Sequence, residues 1–368
     1  MLHCVHHTKE SPLPYAQSCL RCQTLPSLSE KSGEILVSCD VPELATKCSQ
    51  YCEKFGLPFT FEDGHTLWVK VSSFKHFFIS LLESHTFDEV EQDAIQFLFL
   101  EEGTSFSPSK IRESKSIRKY KDLLHAQGLS TLMNKGALTT HFQPIVDLNS
   151  HEIYGYESLA RGVEDDGSLI YPNQLFTWAR EGDMLFYLDR ACRETSLKTA
   201  AVKNIRSKVF INFIPTAIYD PEHCLASTVR WAKQLDFDPQ NIIFEVIESD
   251  LISDIGHLKK ILDYYKSQGF MVALDDVGSG YSSLNMLAKL LPDIIKIDRE
   301  IMDHIDTNPT NQSIFKAIVS IAHENNILVL AEGIEREEEL SYANSHGAHL
   351  AQGYYFGKPN AEPIRRIW

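Results

Sequence analysis

The sequence has no long apolar run and few cysteines. None of its apolar stretches approaches the roughly 18 residues that a membrane-spanning helix needs, so we expect no membrane segment. The amino terminus lacks a cationic segment followed by an apolar one, which argues against a signal peptide. Eight cysteines in 368 residues are too sparse for a disulfide scaffold. We therefore expect a reducing, cytoplasmic location.

Basic residues are also in short supply. The chain has 35 Lys and Arg against 50 Asp and Glu, which gives a net charge of −15 with histidine neutral. Such a charge repels a polyanion, so we do not expect nucleic acid as a partner. A small phosphate ligand is still compatible with this charge, because a few bound cations can reverse its sign locally.

Changes in composition divide the sequence into four predicted segments. Residues 1–32 are rich in Ser, Pro, Cys and His and show no sustained period. Residues 33–106 alternate short apolar runs with helical patterns, which predicts a small α/β module; its position before the last segment suggests a regulatory role. Residues 107–124 are polar and locally basic, and we predict a solvated linker helix there rather than a nucleic-acid or membrane patch. Residues 125–368 form the last segment.

The last segment predicts a barrel. Apolar strand-like runs alternate with amphipathic helices along it, in the order and over the length of a TIM-like (β/α)8 barrel. An open, doubly wound sheet is the alternative, because periodicity does not show whether a sheet closes. The runs are apolar on both faces, as buried parallel strands require. The predicted strands are 140–146, 153–159, 209–213, 242–246, 271–274, 294–297, 328–330 and 348–351.

Polar side chains end or follow seven of these runs. The carboxyl ends of parallel strands meet at one rim, so we expect these side chains to face a common centre. Clustered carboxylates repel one another unless cations compensate them, and oxygen ligands suit Mg²⁺ or Mn²⁺. Two adjacent acids can hold two metals about 4 Å apart, a geometry suited to phosphoryl displacement. The residues are Glu157, Asn212, Glu245, Asp275, Asp276, Lys296, Glu332 and Gln352.

Each of these residues also has an ordinary structural explanation. A single acid after a strand is often only the N-cap of the next helix, although the recurrence at seven strand ends favours a shared site. Lys296 could form a structural ion pair with Asp298 or with a carboxylate of the rim. The Gly- and Ser-rich residues 278–283 could form a mobile loop that carries Asp276, or a plain turn at the start of a helix.

Seven short motifs occur in the order found in EAL-type cyclic di-GMP phosphodiesterases, and the chain resembles this family over about residues 125–368. Any one of the motifs is a weak signal, whereas seven in register are specific. They begin at Gln143, Glu157, Glu245, Asp275, Lys296, Ala331 and Gln352.

The resemblance implies an enzyme that hydrolyses one phosphodiester of cyclic di-GMP to linear pGpG, and a homodimer formed through the barrel. It implies a first metal held by Glu157, Asn212, Glu245 and Asp275 and a second held by Asp275 and Asp276, with Glu332 contributing through water. It also implies that Lys296 positions the attacking water and that Gln352 supports this water or the shell of the second metal. By the same resemblance, Arg161 and Gln143 contact the substrate, and Glu248 anchors the loop 275–284, which in the family connects the site to the dimer interface.

The sequence departs from the family pattern at positions beside the ligands. Ser158 replaces the usual alanine, Val277 replaces phenylalanine, Ser279 replaces threonine, and Ile247 replaces threonine. These changes put loop packing and turnover rate in doubt more than the chemistry. Every predicted ligand position carries a ligand residue, which favours an active enzyme over a silent cyclic di-GMP receptor or a protein-interaction module.

The amino-terminal segment contains two knuckle-like pairs of possible zinc ligands. Three thiolates and one imidazole would suit a single structural Zn²⁺, with His3 or His6 as substitutes for the histidine. The alternative is a tail in which these cysteines have no common role. Cys48 and Cys52 lie one helical turn apart, and we expect small buried side chains there rather than ligands. The predicted zinc ligands are Cys4, His7, Cys19 and Cys22.

Overall fold

The structure, a computed structural model, describes residues 28–247, 254–278, 287 and 289–367. Two compact units divide the chain: Met1–Ser130 with Glu181–Tyr187, and Thr131–Arg180 with Leu188–Trp368. The four predicted zinc ligands, Glu248 and most of the predicted loop at 278–283 lie outside the described residues, and the zinc site stays a prediction. Among the described residues, we find no helix whose length and apolarity suffice to cross a membrane.

The first unit contains an antiparallel sheet with helices packed on it. Its described residues form five strands in the spatial order β2-β3-β1-β4-β5. The central strand β1 pairs Ile35 with Val69 on one side and with Phe99 on the other. The strands are β1 (Gly33–Cys39), β2 (Phe59–Phe61), β3 (Thr66–Val71), β4 (Ile95–Glu101) and β5 (Lys115–Ser116), and the helices are Pro42–Phe55, Phe74–Glu83, Glu89–Ala94 and Ile117–His125.

The core of this unit is apolar and rich in aromatic rings. Phe74 stacks on Phe99 with ring centroids 4.7 Å apart, and Tyr51 meets Phe77 edge to face at 5.9 Å. Cys48 and Cys52 are fully buried in this core, which confirms the prediction that they are small interior side chains.

The segment predicted as a linker helix over 107–124 has a different structure. It consists of a 3₁₀ helix (Pro108–Glu113), strand β5 and helix Ile117–His125. Ile117, Tyr120 and Leu123 lie on one face of that helix and are buried in the core of the first unit. The prediction of a solvated connecting helix was therefore wrong. It gave weight to the many Lys and Arg residues and overlooked the apolar residues that share one face of the helix.

The second unit contains a closed barrel. Eight of its described strands follow one another in the ring β6-β14-β13-β12-β11-β10-β9-β7, and β7 pairs again with β6. This closure confirms the predicted TIM-like barrel and excludes the open, doubly wound sheet. The barrel strands are β6 (Leu138–Asp147), β7 (Ile153–Val163), β9 (Lys208–Asn212), β10 (Ile242–Ile247), β11 (Met271–Val277), β12 (Ile294–Ile297), β13 (Leu328–Ala331) and β14 (Leu350–Gln352).

Helices separate most of the barrel strands, and a short strand β8 (Leu169–Ile170) adds to β7 outside the ring. Among the described residues, the helices are Pro172–Glu181, Leu185–Val202, Pro221–Cys224, Ala226–Gln234, Ile255–Ser267, Arg299–Met302, Pro309–Glu324 and Glu337–Ser345, with 3₁₀ helices at Pro215–Ala217 and Pro239–Asn241. A further helix, Gln127–Asn134, precedes β6.

The first barrel strand differs from the expected all-parallel arrangement. β6 runs antiparallel to both of its neighbours, β7 and β14. Only residues 148–152 separate β6 from β7, which is too short for the crossover that a parallel connection needs. The two strands therefore form a long hairpin, and β7 continues six residues past Glu157 to Val163. Glu157 lies in the middle of its strand rather than at the predicted end.

One layer of side chains fills the barrel below its mouth. It consists of buried apolar residues, one from each of seven strands. Because side chains alternate along a strand, the residues two positions further towards the mouth also point inward. The layer contains Ile145, Phe210, Ile243, Ala273, Ile294, Leu330 and Leu350.

Candidate metal centre and active site

The predicted site residues form the layer directly above this apolar one. On six strands the site residue lies two positions after the apolar one, as Asn212 follows Phe210 and Glu245 follows Ile243. On β6, which runs in the opposite direction, it lies two positions before, so Gln143 enters the same layer. The structure thus brings together Gln143, Asn212, Glu245, Asp275, Lys296, Glu332 and Gln352, with Glu157 contributed by β7.

Lys296 lies at the centre of this layer. Its ammonium Nζ is 2.8 Å from an oxygen of Glu245, 2.8 Å from Glu332 and 3.0 Å from Asp275. Lys296 and Glu245 are almost completely buried. The expected ion pair of Lys296 is therefore made with the rim carboxylates, whereas Asp298 accepts a hydrogen bond from the Glu300 N–H and caps helix Arg299–Met302.

Burial controls the ionisation of the carboxyl groups. It raises the pKa of Glu245 and Glu332 well above the usual range, although the ammonium group of Lys296 opposes this shift. Burial likewise raises the pKa of Asp275. Burial alone would lower the pKa of Lys296, but the surrounding carboxylates outweigh it and raise that pKa well above its ordinary value. Lys296 therefore stays protonated, whereas burial disfavours the ionised forms of the carboxyl groups around it.

Amide side chains connect the two sides of the mouth. The Asn212 amide donates to Glu157 Oε1 at 3.2 Å and to Glu245 Oε2 at 3.3 Å. Gln352 Nε2 donates to Glu157 Oε2 at 2.6 Å and to Gln143 Oε1 at 3.1 Å. Gln352 thus orients Glu157 and is itself held by Gln143. The sequence does not reveal the contact between Gln352 and Gln143, because it depends on the reversed direction of β6.

Asp276 occupies a strained backbone position beside Asp275. Its φ of 58° is in the left-handed region, which non-glycine residues rarely adopt. Burial, Asp275 and Asp298 together raise the pKa of Asp276 to about 7. Asp275, Asp276 and Glu332 each offer one oxygen atom, and these three atoms lie within 4.8 Å of one another.

This donor set fits hard divalent cations. Carboxylate and amide oxygens are the ligands that Mg²⁺ and Mn²⁺ prefer, and the layer around Lys296 is built from carboxylate and amide side chains. The raised pKa values of Glu245, Asp275 and Glu332 point to the same conclusion, because a bound cation would offset the cost of keeping these buried groups ionised.

Arg161 supplies a positive group near Glu157. Its side chain is 6% exposed, its guanidinium lies 4.9 Å above the Tyr171 ring, and Nη1 donates to the carbonyl oxygen of Ala160 at 2.8 Å. Its buried Nε atom has no hydrogen-bond acceptor among the described residues. A buried guanidinium with an unused donor suits an anionic ligand such as a phosphate.

Two cavities open at the mouth, and Glu157 lines both. A cavity of about 370 Å³ extends from Asn212, Asp275 and Asp276 towards Phe176 and helix Leu185–Val202. A second cavity of about 190 Å³ lies between Glu332, Gln352, Arg299 and Tyr354 on the other side.

The departure at position 158 is accommodated by a hydrogen bond. Ser158 points away from the barrel interior, and its hydroxyl lies 2.5 Å from the Ser196 hydroxyl on helix Leu185–Val202. Both serines are buried. The substitution of serine for alanine therefore leaves no unpaired hydroxyl beside Glu157.

Comparison with known proteins identifies the family. The model of the EAL domain family matches residues 126–359, so the chain belongs to the EAL domain family. This match confirms the resemblance carried by the sequence motifs.

The curated relatives are longer proteins. The probable cyclic di-GMP phosphodiesterase PdeG of Escherichia coli K12 is 29% identical over 238 residues, which cover 63% of this chain and 46% of PdeG. The cyclic di-GMP phosphodiesterase PdeR of the same organism is 29% identical over 234 residues, which cover 63% of this chain and 35% of PdeR. The chain therefore spans less than half the length of these relatives.

Solved structures show the same fold. A standalone EAL protein from Vibrio cholerae O395, in its c-di-GMP-bound form, is 38% identical with a TM-score of 0.57, and the match covers 63% of this chain and 95% of that one. The FimX EAL domain from Pseudomonas aeruginosa, bound to c-di-GMP, is 23% identical with a TM-score of 0.61 over 67% of this chain and 100% of that one. At that identity the FimX likeness supports the fold alone.

Proposed function

We propose that the barrel hydrolyses cyclic di-GMP to linear pGpG with the help of divalent metal ions. The observation that carries this proposal is the convergence of Glu157, Asn212, Glu245 and Asp275 on one barrel mouth around Lys296. The names of the curated relatives and the c-di-GMP bound to the Vibrio cholerae protein support the choice of substrate.

Six side chains form the proposed metal sites. Glu157, Asn212, Glu245 and Asp275 hold the first ion; a half-turn of the Asn212 amide, which exchanges nearly isosteric atoms, presents its oxygen. Asp275 and Asp276 hold the second ion, and Glu332 contributes through water. When bound, Mg²⁺ or Mn²⁺ would stabilise charge on the phosphate and make water a stronger nucleophile.

The other residues of the site orient the reactants. The reaction forms a bond between a water oxygen and phosphorus and breaks the bond from phosphorus to the 3′ oxygen, which takes up a proton, so that the product keeps a 5′ phosphate. Lys296 and Gln352 position the water, and the ammonium charge steadies the phosphate. Glu332 accepts a proton from the attacking water in this proposal. Arg161 and Gln143 hold the substrate.

Three further proposals concern parts of the chain beyond this site. Glu248 anchors the loop 275–284. The barrel pairs with a second copy to form a homodimer. The module at residues 33–106 regulates the barrel, an inference that rests on its place in the chain.

Product analysis tests the proposed reaction. Purified protein is incubated with cyclic di-GMP and Mn²⁺, with and without excess EDTA, and the nucleotides are separated by chromatography. We expect linear pGpG only in the metal-containing sample. Tight retention of unchanged cyclic di-GMP would instead identify a silent receptor and contradict the proposal.

A further inference from the structure

Helix Leu185–Val202 presents one buried polar face to the strands that carry two proposed metal ligands. Asp189, Cys192, Arg193 and Ser196 follow the spacing of a single helix face. All four are at most 8% exposed. Asp189, Cys192 and Ser196 also line the 370 Å³ cavity that reaches Glu157 and Asn212.

The Asp189 carboxylate connects this helix to the end of β9. Its Oδ1 accepts a hydrogen bond of 2.9 Å from the backbone N–H of Ile214. β9 ends at Asn212, so the N–H of Ile214 lies beyond the sheet ladder and needs another acceptor in its buried surroundings. The preceding N–H, that of Phe213, donates to Glu245 O at 3.1 Å. Asp189 thus fixes the backbone two residues after Asn212.

Arg193 fixes the Asp189 carboxylate in turn. Its Nε and Nη2 donate to Asp189 Oδ2 at 3.0 and 2.8 Å, and its Nη1 donates to Thr228 Oγ1 at 2.5 Å. Both side chains are almost completely buried. A buried ion pair gains little stability over apolar residues of similar size, so a role beyond stability is a reason to keep one.

We propose that Asp189 is a positioning residue for the metal site: with Arg193 behind it, the carboxylate holds the strand end that aims Asn212 at the metal. This inference rests on the proposed function, in which Asn212 is a ligand. Ser196 on the same helix holds the backbone beside a second proposed ligand, Glu157, because it is hydrogen-bonded to Ser158. Partners that orient metal ligands typically change metal affinity by about 10- to 100-fold.

Two double variants of the full chain separate positioning from plain stability. Both remove the ion pair through Arg193→Met. With Asp189→Asn, an acceptor for the Ile214 N–H remains; with Asp189→Leu, a side chain of similar size leaves that N–H without one. Mn²⁺ binding is measured by titration calorimetry, and folding in EDTA by circular dichroism and thermal unfolding.

We expect the Asn-containing variant to bind Mn²⁺ nearly as the wild type does and the Leu-containing variant to bind it about tenfold or more weakly. Equal affinity in the two folded variants would overturn the inference. A third variant, Asp189→Glu, keeps the charge but moves the acceptor; we expect weaker Mn²⁺ binding there too, and unchanged affinity overturns the inference. If the Leu-containing variant and the Asp189→Glu variant both fail to fold while the Asn-containing variant folds, Asp189 has a general structural role, and this result also overturns the inference.

Because the test measures Mn²⁺ binding rather than hydrolysis, its failure can be distinguished from failure of the proposed reaction. A wild-type protein that binds Mn²⁺ but does not cleave cyclic di-GMP would refute the proposed reaction and leave the positioning role supported by the variants. A wild-type protein that binds no Mn²⁺ would overturn the positioning role itself.

Discussion

At the scale of single residues, the barrel mouth buries several carboxyl groups close together. Lys296 contacts Glu245, Asp275 and Glu332 directly, and Glu157 is a fourth carboxyl group in the same layer. Removing charged groups from water costs several kcal/mol for each ion, and one ammonium group compensates only part of that cost. The site therefore reduces stability in the absence of metal, as is common where residues are retained for function.

Glu245→Gln tests whether this carboxyl group lowers the stability of the metal-free protein while it supports metal binding. The amide keeps the shape of the side chain but weakens metal binding, so we expect hydrolysis of cyclic di-GMP to fall about 100-fold or more. Burial raises the pKa of Glu245, so the ionised carboxylate is unfavourable in the folded state. We therefore expect thermal unfolding in EDTA to occur at an unchanged or higher temperature, whereas the stabilisation by Mn²⁺ shrinks.

An exposed acid provides the control for Glu245→Gln. Asp165 pairs with Lys135 at the surface, and its side chain is 86% exposed. Asp165→Asn changes the net charge by the same amount, so we expect activity and stability close to those of the wild type. Normal hydrolysis by the Glu245→Gln variant would show that this carboxylate is not a metal ligand.

The strands determine which side chains meet at the mouth. The predicted strand ends were close enough to place Asn212, Glu245 and Lys296 in one layer, because the apolar runs and the polar residues that end them are visible in the sequence. The direction of β6 is not visible in its periodicity, so the contact of Gln143 with Gln352 was missed. The polar partners of Glu157 depend on register between strands that are distant in sequence.

The chain after β14 passes so close to the chain after β13 that Gly353 should not tolerate a side chain. A Cβ atom at position 353 would overlap the backbone O and N atoms of Ile334, and a backbone cannot yield as a flexible side chain can. We expect Gly353→Ala to lower the free energy of unfolding by about 3 kcal/mol and to weaken hydrolysis, because Gln352 is displaced. Urea unfolding measures the first effect.

Gly128 is the matched control for Gly353. It lies in helix Gln127–Asn134, and an added Cβ there meets nothing within 4 Å. We expect Gly128→Ala to stabilise the protein by about 0.5–1 kcal/mol. A Gly353→Ala variant as stable as Gly128→Ala would contradict the close crossing.

The pairing of β13 with β14 depends on a neutral histidine. The Val329 N–H donates to Nδ1 of His349 at 3.0 Å. Burial and the nearby His323 lower the pKa of His349, although Asp147 opposes this shift. Between the folded and unfolded pKa values the unfolded chain binds more protons, so the free energy of unfolding falls as the pH falls below about 6.5.

His349→Asn tests this dependence, because asparagine offers an acceptor that does not titrate. We expect the loss of stability between pH 7.5 and pH 5.5 to be smaller in this variant than in the wild type, as measured by urea unfolding at several pH values. An identical loss in the two proteins would assign the dependence to other groups.

At the scale of the whole molecule, closure of the barrel turns a scattered set of residues into a site. The proposed metal ligands extend from Glu157 to Glu332 along the chain and meet only because β6 pairs with both β7 and β14. The alternation of strands and helices allowed the barrel to be predicted. The linker at 107–124 was misassigned because Ile117, Tyr120 and Leu123 are buried against residues of other elements of the first unit. Such tertiary contacts are not visible in a local sequence pattern.

The most direct test of the account is to locate Mn²⁺ by anomalous scattering in crystals grown with that ion. We expect one peak among Glu157, Asn212, Glu245 and Asp275, and a second about 4 Å away beside Asp275 and Asp276. The absence of any peak at the mouth, or peaks bound only by other residues, would contradict the proposed metal centre.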